Sequence, residues 1–212
     1  MQMSQPLRPS KQDRSRETQA RILRATARLL GKEPFESISV RRIVIEAETS
    51  IGSFYARFRD KNALLSVLYA EYEMQLHERL ARLQKSVVDA RSLEEVAKLI
   101  AEHFVDMYGD VPNLSRALYE YATRSPKTSE SKNLAARRRK QYSFLLDALL
   151  TFRAEITHSD PVRAVDLGLY FVVVACRNRL LYPLAPQTRT LRISKRELKE
   201  ELVRLLTGYL RD

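Results

Sequence analysis

The residues best placed to do chemistry lie in one run, Ser50-Ile51-Gly52-Ser53-Phe54-Tyr55-Ala56-Arg57-Phe58. On a helix Phe54 and Phe58, four apart, share a face and anchor it in a core. Ile51, Gly52, Ser53, Tyr55 and Arg57 are then left toward the outside. A phenol, a guanidinium and a glycine beside one another suit contact with a DNA duplex. Gly52 lets the helix start come close to the bases, with Ile51 beside it. Tyr55 and Arg57 reach for phosphate. Arg41, Arg42 and Lys61 add charge for backbone contacts, which position a protein on DNA. Ser39, Ser50 and Asp60 open helices whose first-turn N–H groups suit phosphate oxygens. An aromatic pair at this spacing is more often plain core than part of a DNA reader, and Phe54 and Phe58 are core under both readings. Tyr55 and Arg57 are what a purely structural short helix would not need.

The elements that must hold this run can be read around it. Residues 1–15 are polar and basic, with Pro6 and Pro9, and are expected to form a disordered arm. A helix through Ile22, Leu23, Ala25, Ala27, Leu29 and Leu30 ends at Gly31 and Pro34. Ser39 caps a second helix whose inward face is Val40, Ile43, Val44 and Ala47. Glu48 and Thr49 make a short turn, and Ser50 caps a third helix reaching Phe58. Asp60 caps a long fourth helix. Two short helices at a steep angle, braced by the first, make a helix-turn-helix whose second helix enters the major groove. The domain boundaries expected are 16–62 for this DNA-binding part and 63–212 for the remainder.

The chain has 212 residues, 44% hydrophobic and 30% charged, with only five glycines and no tryptophan. That composition favours an all-α protein with real cores. Its formal net charge of +11 points to polyanions: nucleic acid or an anionic membrane surface. One cysteine, Cys176, rules out an internal disulfide and suits the cytoplasm. No apolar run reaches the ~20 residues of a membrane helix. P-loop, G-x-G-x-x-G, H-E-x-x-H and G-x-S-x-G patterns are absent, and His77, His103 and His158 lack metal-ligand spacing. No enzyme, cofactor or metal site is expected. The rival to DNA binding is a basic helical module on a membrane or protein partner. The mixed charges of the fourth helix (Glu71, Glu73 and Glu78 with Arg79 and Arg82) speak against it.

Residues 22–65, ILRATARLLGKEPFESISVRRIVIEAETSIGSFYARFRDKNALL, resemble the tetracycline-repressor (TetR) family of regulators. The resemblance rests on Ala27 and Leu30 before Gly31, Phe35, the Ser39-Val40-Arg41 start, Ile43 and Ala47. It continues through Ser50, Gly52, Ser53, Tyr55, Phe58, Lys61, Ala63 and Leu64-Leu65. It implies an all-helical homodimer that binds a palindromic operator in double-stranded DNA. It also implies a divergent C-terminal domain that takes up a small-molecule effector and releases the DNA. Glu48 stands where the family often has glycine. A turn needing positive φ would be strained by Glu, so a different turn is expected. Ile51 replaces a frequent lysine, and Arg42 a frequent acidic residue.

Beyond residue 70 the resemblance fades, but helical stripes continue. Pro161 suits a first turn after Ser159 or Asp160. Leu198, Leu202, Leu205, Leu206 and Leu210 share a face of the last helix. The last two helices, near 161–182 and 194–210, are the expected dimer pair. Candidate pocket residues are His103, Phe104, Met107, Tyr108, Tyr119, Tyr142, Phe144, Asp147 and Tyr170, although ordinary packing explains each one singly. Asp147 in SFLLDALL must reach the surface or find a partner: a cationic ligand, or Arg177 or Arg179, the internal pair being the expected one. Arg137, Arg138, Arg139 and Lys140 read as a solvated surface. Cys176 reads as inert core.

Overall fold

A computed structural model of the protein describes residues 11–124, 129–183 and 190–212. Among them are nine α-helices and no strand. These are α1 (Lys11–Leu30), α2 (Val40–Glu46), α3 (Ile51–Tyr55), α4 (Ala63–Asp89) and α5 (Leu93–Gly109), followed by α6 (Pro112–Arg124), α7 (Ser129–Leu150), α8 (Pro161–Leu181) and α9 (Lys195–Leu210). Short 3-10 turns lie at Phe35–Ser37 and Arg153–Glu155. The chain divides into two compact units after Ala70. The division falls beyond the expected 62/63 boundary because Leu64, Leu65 and Leu68, in the first turns of α4, are buried with the N-terminal unit.

The local rules that start these helices hold. Ser39, Ser50, Ser92 and Ser194 each accept a hydrogen bond from the backbone N–H three residues on. Ser194 and Glu197 complete a reciprocal capping box. Asp160 accepts from the Arg163 N–H, with Pro161 in the first turn of α8. The Asp60 carboxylate accepts from Ala63 N–H at 2.9 Å at the start of α4.

Two expectations need correction at element ends. Residues 11–15 are helical, so α1 begins before the expected arm ends; residues 1–10 of that arm lie outside the described residues. Within this stretch Arg57 donates to the Ser15 carbonyl at 3.2 Å and to Ser15 Oγ at 3.3 Å. Helix α3 stops at Tyr55 instead of running to Phe58, yet Phe54 and Phe58 are both buried, their rings 5.4 Å apart.

In the N-terminal unit α1 buries Ile22, Leu23, Ala25, Thr26, Leu29 and Leu30. Phe35, Ile38, Ile43, Val44, Phe54 and Phe58 are buried in the same unit. In the second unit α5 packs against α8 and α9, with α6 and α7 alongside. Val96, Ile100, Val165, Leu169, Val172, Leu202 and Leu206 are at its centre, each contributing roughly 1.5–3 kcal/mol by leaving water. Gly168 sets the approach of α8 to α9: a Cβ there would stand 2.6 Å from Leu206 Cδ1. Leu205 falls off the predicted apolar stripe of α9 and is 45% exposed. Cys176 is buried, its thiol pushed up to about 12 by burial, as expected of an unreactive core residue. Arg139 and Lys140 are exposed, while the side chains of Arg137 and Arg138 lie outside the described residues.

Candidate nucleic-acid interface

The turn between α2 and α3 sets the angle at which α3 is presented. Thr49 N–H donates to the Val44 carbonyl at 2.9 Å and Glu48 N–H to the Ile45 carbonyl at 3.1 Å. These are the two bonds of a Schellman helix end, whose C′ residue adopts the left-handed conformation. Glu48 fills that position with φ of 51°, the one non-glycine residue with positive φ among those described. The expectation of a different turn is therefore corrected. The two backbone bonds hold the left-handed turn although a Cβ there costs ~1–2 kcal/mol.

With α3 so placed, its outer surface is Ile51, 49% exposed, Gly52, Tyr55, 54% exposed, and Ala56. Ser50 Oγ accepts from Ser53 N–H at 3.0 Å and donates to Ser53 Oγ at 3.1 Å, so both hydroxyls help to close the helix start. The Tyr55 ring stands edge-on to Phe54 at 5.3 Å. A Cβ on Gly52 would meet nothing closer than Ser50 Oγ at 3.9 Å. Glycine in a helix costs ~1 kcal/mol relative to alanine, and the fold itself does not demand it here. A requirement for close approach from outside would.

The five cations of this unit that matter most divide sharply. Arg41, on α2, is exposed and its guanidinium makes no hydrogen bond or ion pair among the described residues. Arg42 is ion-paired with Glu33 at 2.6 Å. Arg57 donates to the Ser53 carbonyl at 2.7 Å as well as to Ser15, tying α3 to the start of α1. Lys61 donates to the Phe35 carbonyl at 2.8 Å and the Ile38 carbonyl at 3.0 Å, with its ammonium 4.4 Å from the Phe35 ring centre. Burial draws Lys61 below the ordinary lysine pKa. Arg28, unremarked in the sequence, braces α1 to α2 through Glu46 at 2.7 Å and holds that carboxyl below its usual range. Thus Arg42, Arg57 and Lys61, expected at phosphates, each have a partner within the domain in this structure. Ser39 Oγ is likewise engaged, accepting from Arg42 N–H at 3.3 Å.

Ile45, on α2, is 66% exposed, because three adjacent apolar residues in the run Ile43-Val44-Ile45 cannot all face inward on a helix. The N-terminal 70 residues carry 13 Lys and Arg against seven Asp and Glu, so they hold just over half of the net positive charge in one third of the chain.

In the second unit the nine pocket candidates are dispersed. Along α5 the His103 ring stands edge-on to Phe104 at 5.2 Å, and Phe104 stacks with Tyr108 at 6.5 Å between ring centres. The Met107 carbonyl accepts from Ser115 Oγ at 3.2 Å. Tyr119 accepts from Arg177 at 2.9 Å, and Tyr142 donates to Asp166 at 3.1 Å. Phe144 is half-buried, while Tyr170 is exposed beside Phe171. Asp147 is exposed, and the expected pair with Arg177 or Arg179 is not made: Arg177 holds Tyr119 and Arg179 donates to the Ile193 carbonyl at 3.2 Å. Water solvates the carboxylate instead. An open recess of about 280 Å³ lies between α4 and α5, bordered by Arg79, Arg82, Glu102, Asp106 and, alone of the nine, His103. His103 is nine-tenths buried there with Nε2 unpaired, its pKa lowered to about 4 by burial and then by Arg79. Among the described residues no His, Cys, Asp and Glu cluster could hold a metal, and no helix is long and apolar enough to cross a membrane.

Residues 22–68 match the sequence model of the bacterial regulatory proteins of the tetR family. No curated protein matches the chain. Its fold is shared with a tetR-family regulatory protein from Rhodococcus RHA1 (TM-score 0.64, 16% identity, 96% of this chain and 98% of that one). It is also shared with the ketosteroid transcriptional regulator KstR2 of Mycobacterium tuberculosis (TM-score 0.65, 15% identity, 92% and 95%). A third such structure is AibR in complex with isovaleryl coenzyme A and operator DNA (TM-score 0.61, 16% identity, 90% and 98%).

Proposed function

We propose, on the premise that the N-terminal domain belongs to the tetR family of bacterial regulatory proteins, that this protein is a DNA-binding transcriptional regulator. In this reading it is a repressor that binds a palindromic operator as a homodimer, in the cytoplasm, and leaves it when a small-molecule effector binds the second unit. The observation that carries the reading is the outer surface of α3. Two serine hydroxyls close the helix start, Phe54 and Phe58 anchor it, and Ile51, Gly52 and Tyr55 remain exposed with room beside Gly52. Of Arg28, Arg41, Arg42, Arg57 and Lys61, Arg41 is the one left to meet phosphate; Arg57 ties α3 to α1, and Lys61 ties the start of α4 to the turn before α2.

The dimer reading is supported by apolar side chains on the last two helices that the protomer leaves uncovered: Val162, Tyr170 and Phe171 on α8 and Leu205 on α9. Two such helix pairs would close a four-helix interface. A dimer places two copies of α3 in successive major grooves, ~34 Å or a multiple apart. An effector that binds one dimer geometry better than another shifts the population away from that spacing. The relative solved with both an acyl-coenzyme A and operator DNA supports a ligand-responsive regulator.

The test is selection of bound fragments from the source genome, with an Arg41→Ala, Tyr55→Ala double variant alongside. A palindrome enriched by the parent and lost by the variant supports the reading. No enrichment by either at low salt, with binding to anionic vesicles, rejects it in favour of a membrane-surface module. A monomer at micromolar concentration by light scattering rejects the dimer.

A further inference from the structure

The chemistry that α3 can offer a base pair is restricted. Residues 50–56 contain no Arg, Lys, Asn, Gln, Asp or Glu. Guanine is read through paired contacts from Arg or Lys, adenine through paired contacts from Asn or Gln, and cytosine by a carboxylate. The element presented to the groove has none of these groups. The Ser50 and Ser53 hydroxyls are turned to one another and to the helix start. Arg57, next along the chain, is bound to the Ser15 and Ser53 carbonyls. What α3 exposes at its first turn is the Ile51 side chain, beside a glycine whose missing Cβ leaves open space. The thymine C5-methyl is the base-edge group that an apolar side chain can recognise in the major groove.

We infer that Ile51 reads thymine methyl groups in the operator, with Gly52 allowing the close approach this contact needs. The inference rests on the DNA-binding reading above and names the base that α3 specifies. Half of the Ile51 side chain is already covered by the protein and half is exposed, so a methyl can be added to an ordered apolar surface. The N-terminal unit's surplus of positive charge draws the duplex to that surface. Each half-site then contains at least one thymine whose methyl is required, in an A·T pair beneath the start of α3.

The experiment starts from a duplex pool with a randomised 20-base-pair core. The enriched duplex is resynthesised with deoxyuridine for thymidine at each half-site, which removes the methyl and leaves the pairing unchanged. The parent protein is expected to lose affinity about fourfold for one such methyl and about fifteenfold for both half-sites, from the transfer free energy of one buried carbon per site. Ile51→Ala is expected to bind the thymidine and deoxyuridine duplexes equally, and Ile51→Val to retain part of the difference. Because Ile51 is exposed, both variants should unfold at the parent's midpoint. Equal binding of the two duplexes by the parent, or full methyl sensitivity in Ile51→Ala, overturns the inference and leaves DNA binding standing. A pool that yields no enriched sequence removes the DNA-binding reading and the inference with it.

Discussion

Replacing Lys61 with methionine separates a structural cation from a DNA-contacting one. The ammonium donates to the Phe35 and Ile38 carbonyls at 2.8 and 3.0 Å and lies 4.4 Å from the Phe35 ring centre. Those carbonyls belong to the 3-10 turn joining α1 to α2 and to the residue that closes it. Hydrogen bonds to charged donors contribute ~1.5–3 kcal/mol, and the site is half-exposed, so water replaces part of what is lost. A cation over an aromatic face at such a position adds about 0.5–1 kcal/mol. Methionine keeps the length of the stem and loses both terms, for a net destabilisation of about 2–3 kcal/mol. Native-state hydrogen exchange should report this as roughly 30- to 150-fold weaker protection of α2 and α3 amides that open with the unit. The second unit's amides, in α5 and α8, should be unaffected. The salt dependence of DNA binding, which counts phosphate contacts, should keep its slope. Unchanged protection in α2 and α3 together with a reduced salt slope would refute the reasoning and return Lys61 to the phosphates.

Three further outcomes follow from the same structure. Glu48→Gly should stabilise the N-terminal unit by about 0.5–1 kcal/mol, the relief of left-handed strain less the added freedom of the unfolded chain, read by hydrogen exchange in α2 and α3. Arg57→Ala should release the start of α1, speeding exchange over residues 15–19 about tenfold while leaving α5 unchanged, because the bonds to Ser15 are lost. His103 is held down to about 4 against an ordinary 6.5, so between those values the unfolded chain takes up a proton that the folded chain refuses. Stability of the second unit should therefore fall as pH drops from 6.5 to 4, by about 3 kcal/mol from this group, and His103→Gln should flatten urea midpoints over that window.

Much of the fold is written locally. A serine before an apolar stripe caps a helix through bonds that span three residues, and Ser39, Ser50 and Ser194 do so wherever the rest of the chain lies. Phe54 and Phe58 pack together because a four-residue separation brings them to one side, even though α3 ends between them. Local spacing also exposes Ile51, Gly52 and Tyr55, so the surface proposed to meet DNA was legible before any tertiary contact was known. The turn was not. A glutamate at a left-handed position is disfavoured by its own sterics, and it is kept there by Val44 and Ile45 carbonyls already fixed by α2. Short-range spacing thus accounts for the helices, their caps and the outward apolar tip of α3. The partners of the charged side chains come from contacts between distant parts of the chain. Arg42, Arg57 and Lys61 look alike in sequence as cations near a DNA-binding helix, yet their partners are Glu33, Ser15 and Phe35, nine, 42 and 26 residues away. Long flexible stems can reach phosphate or a buried carbonyl with equal ease. Which one they meet depends on what the fold brings within reach: a carboxylate for Arg42, the backbone of α1 for Arg57, and for Lys61 partly buried carbonyls that must find a donor.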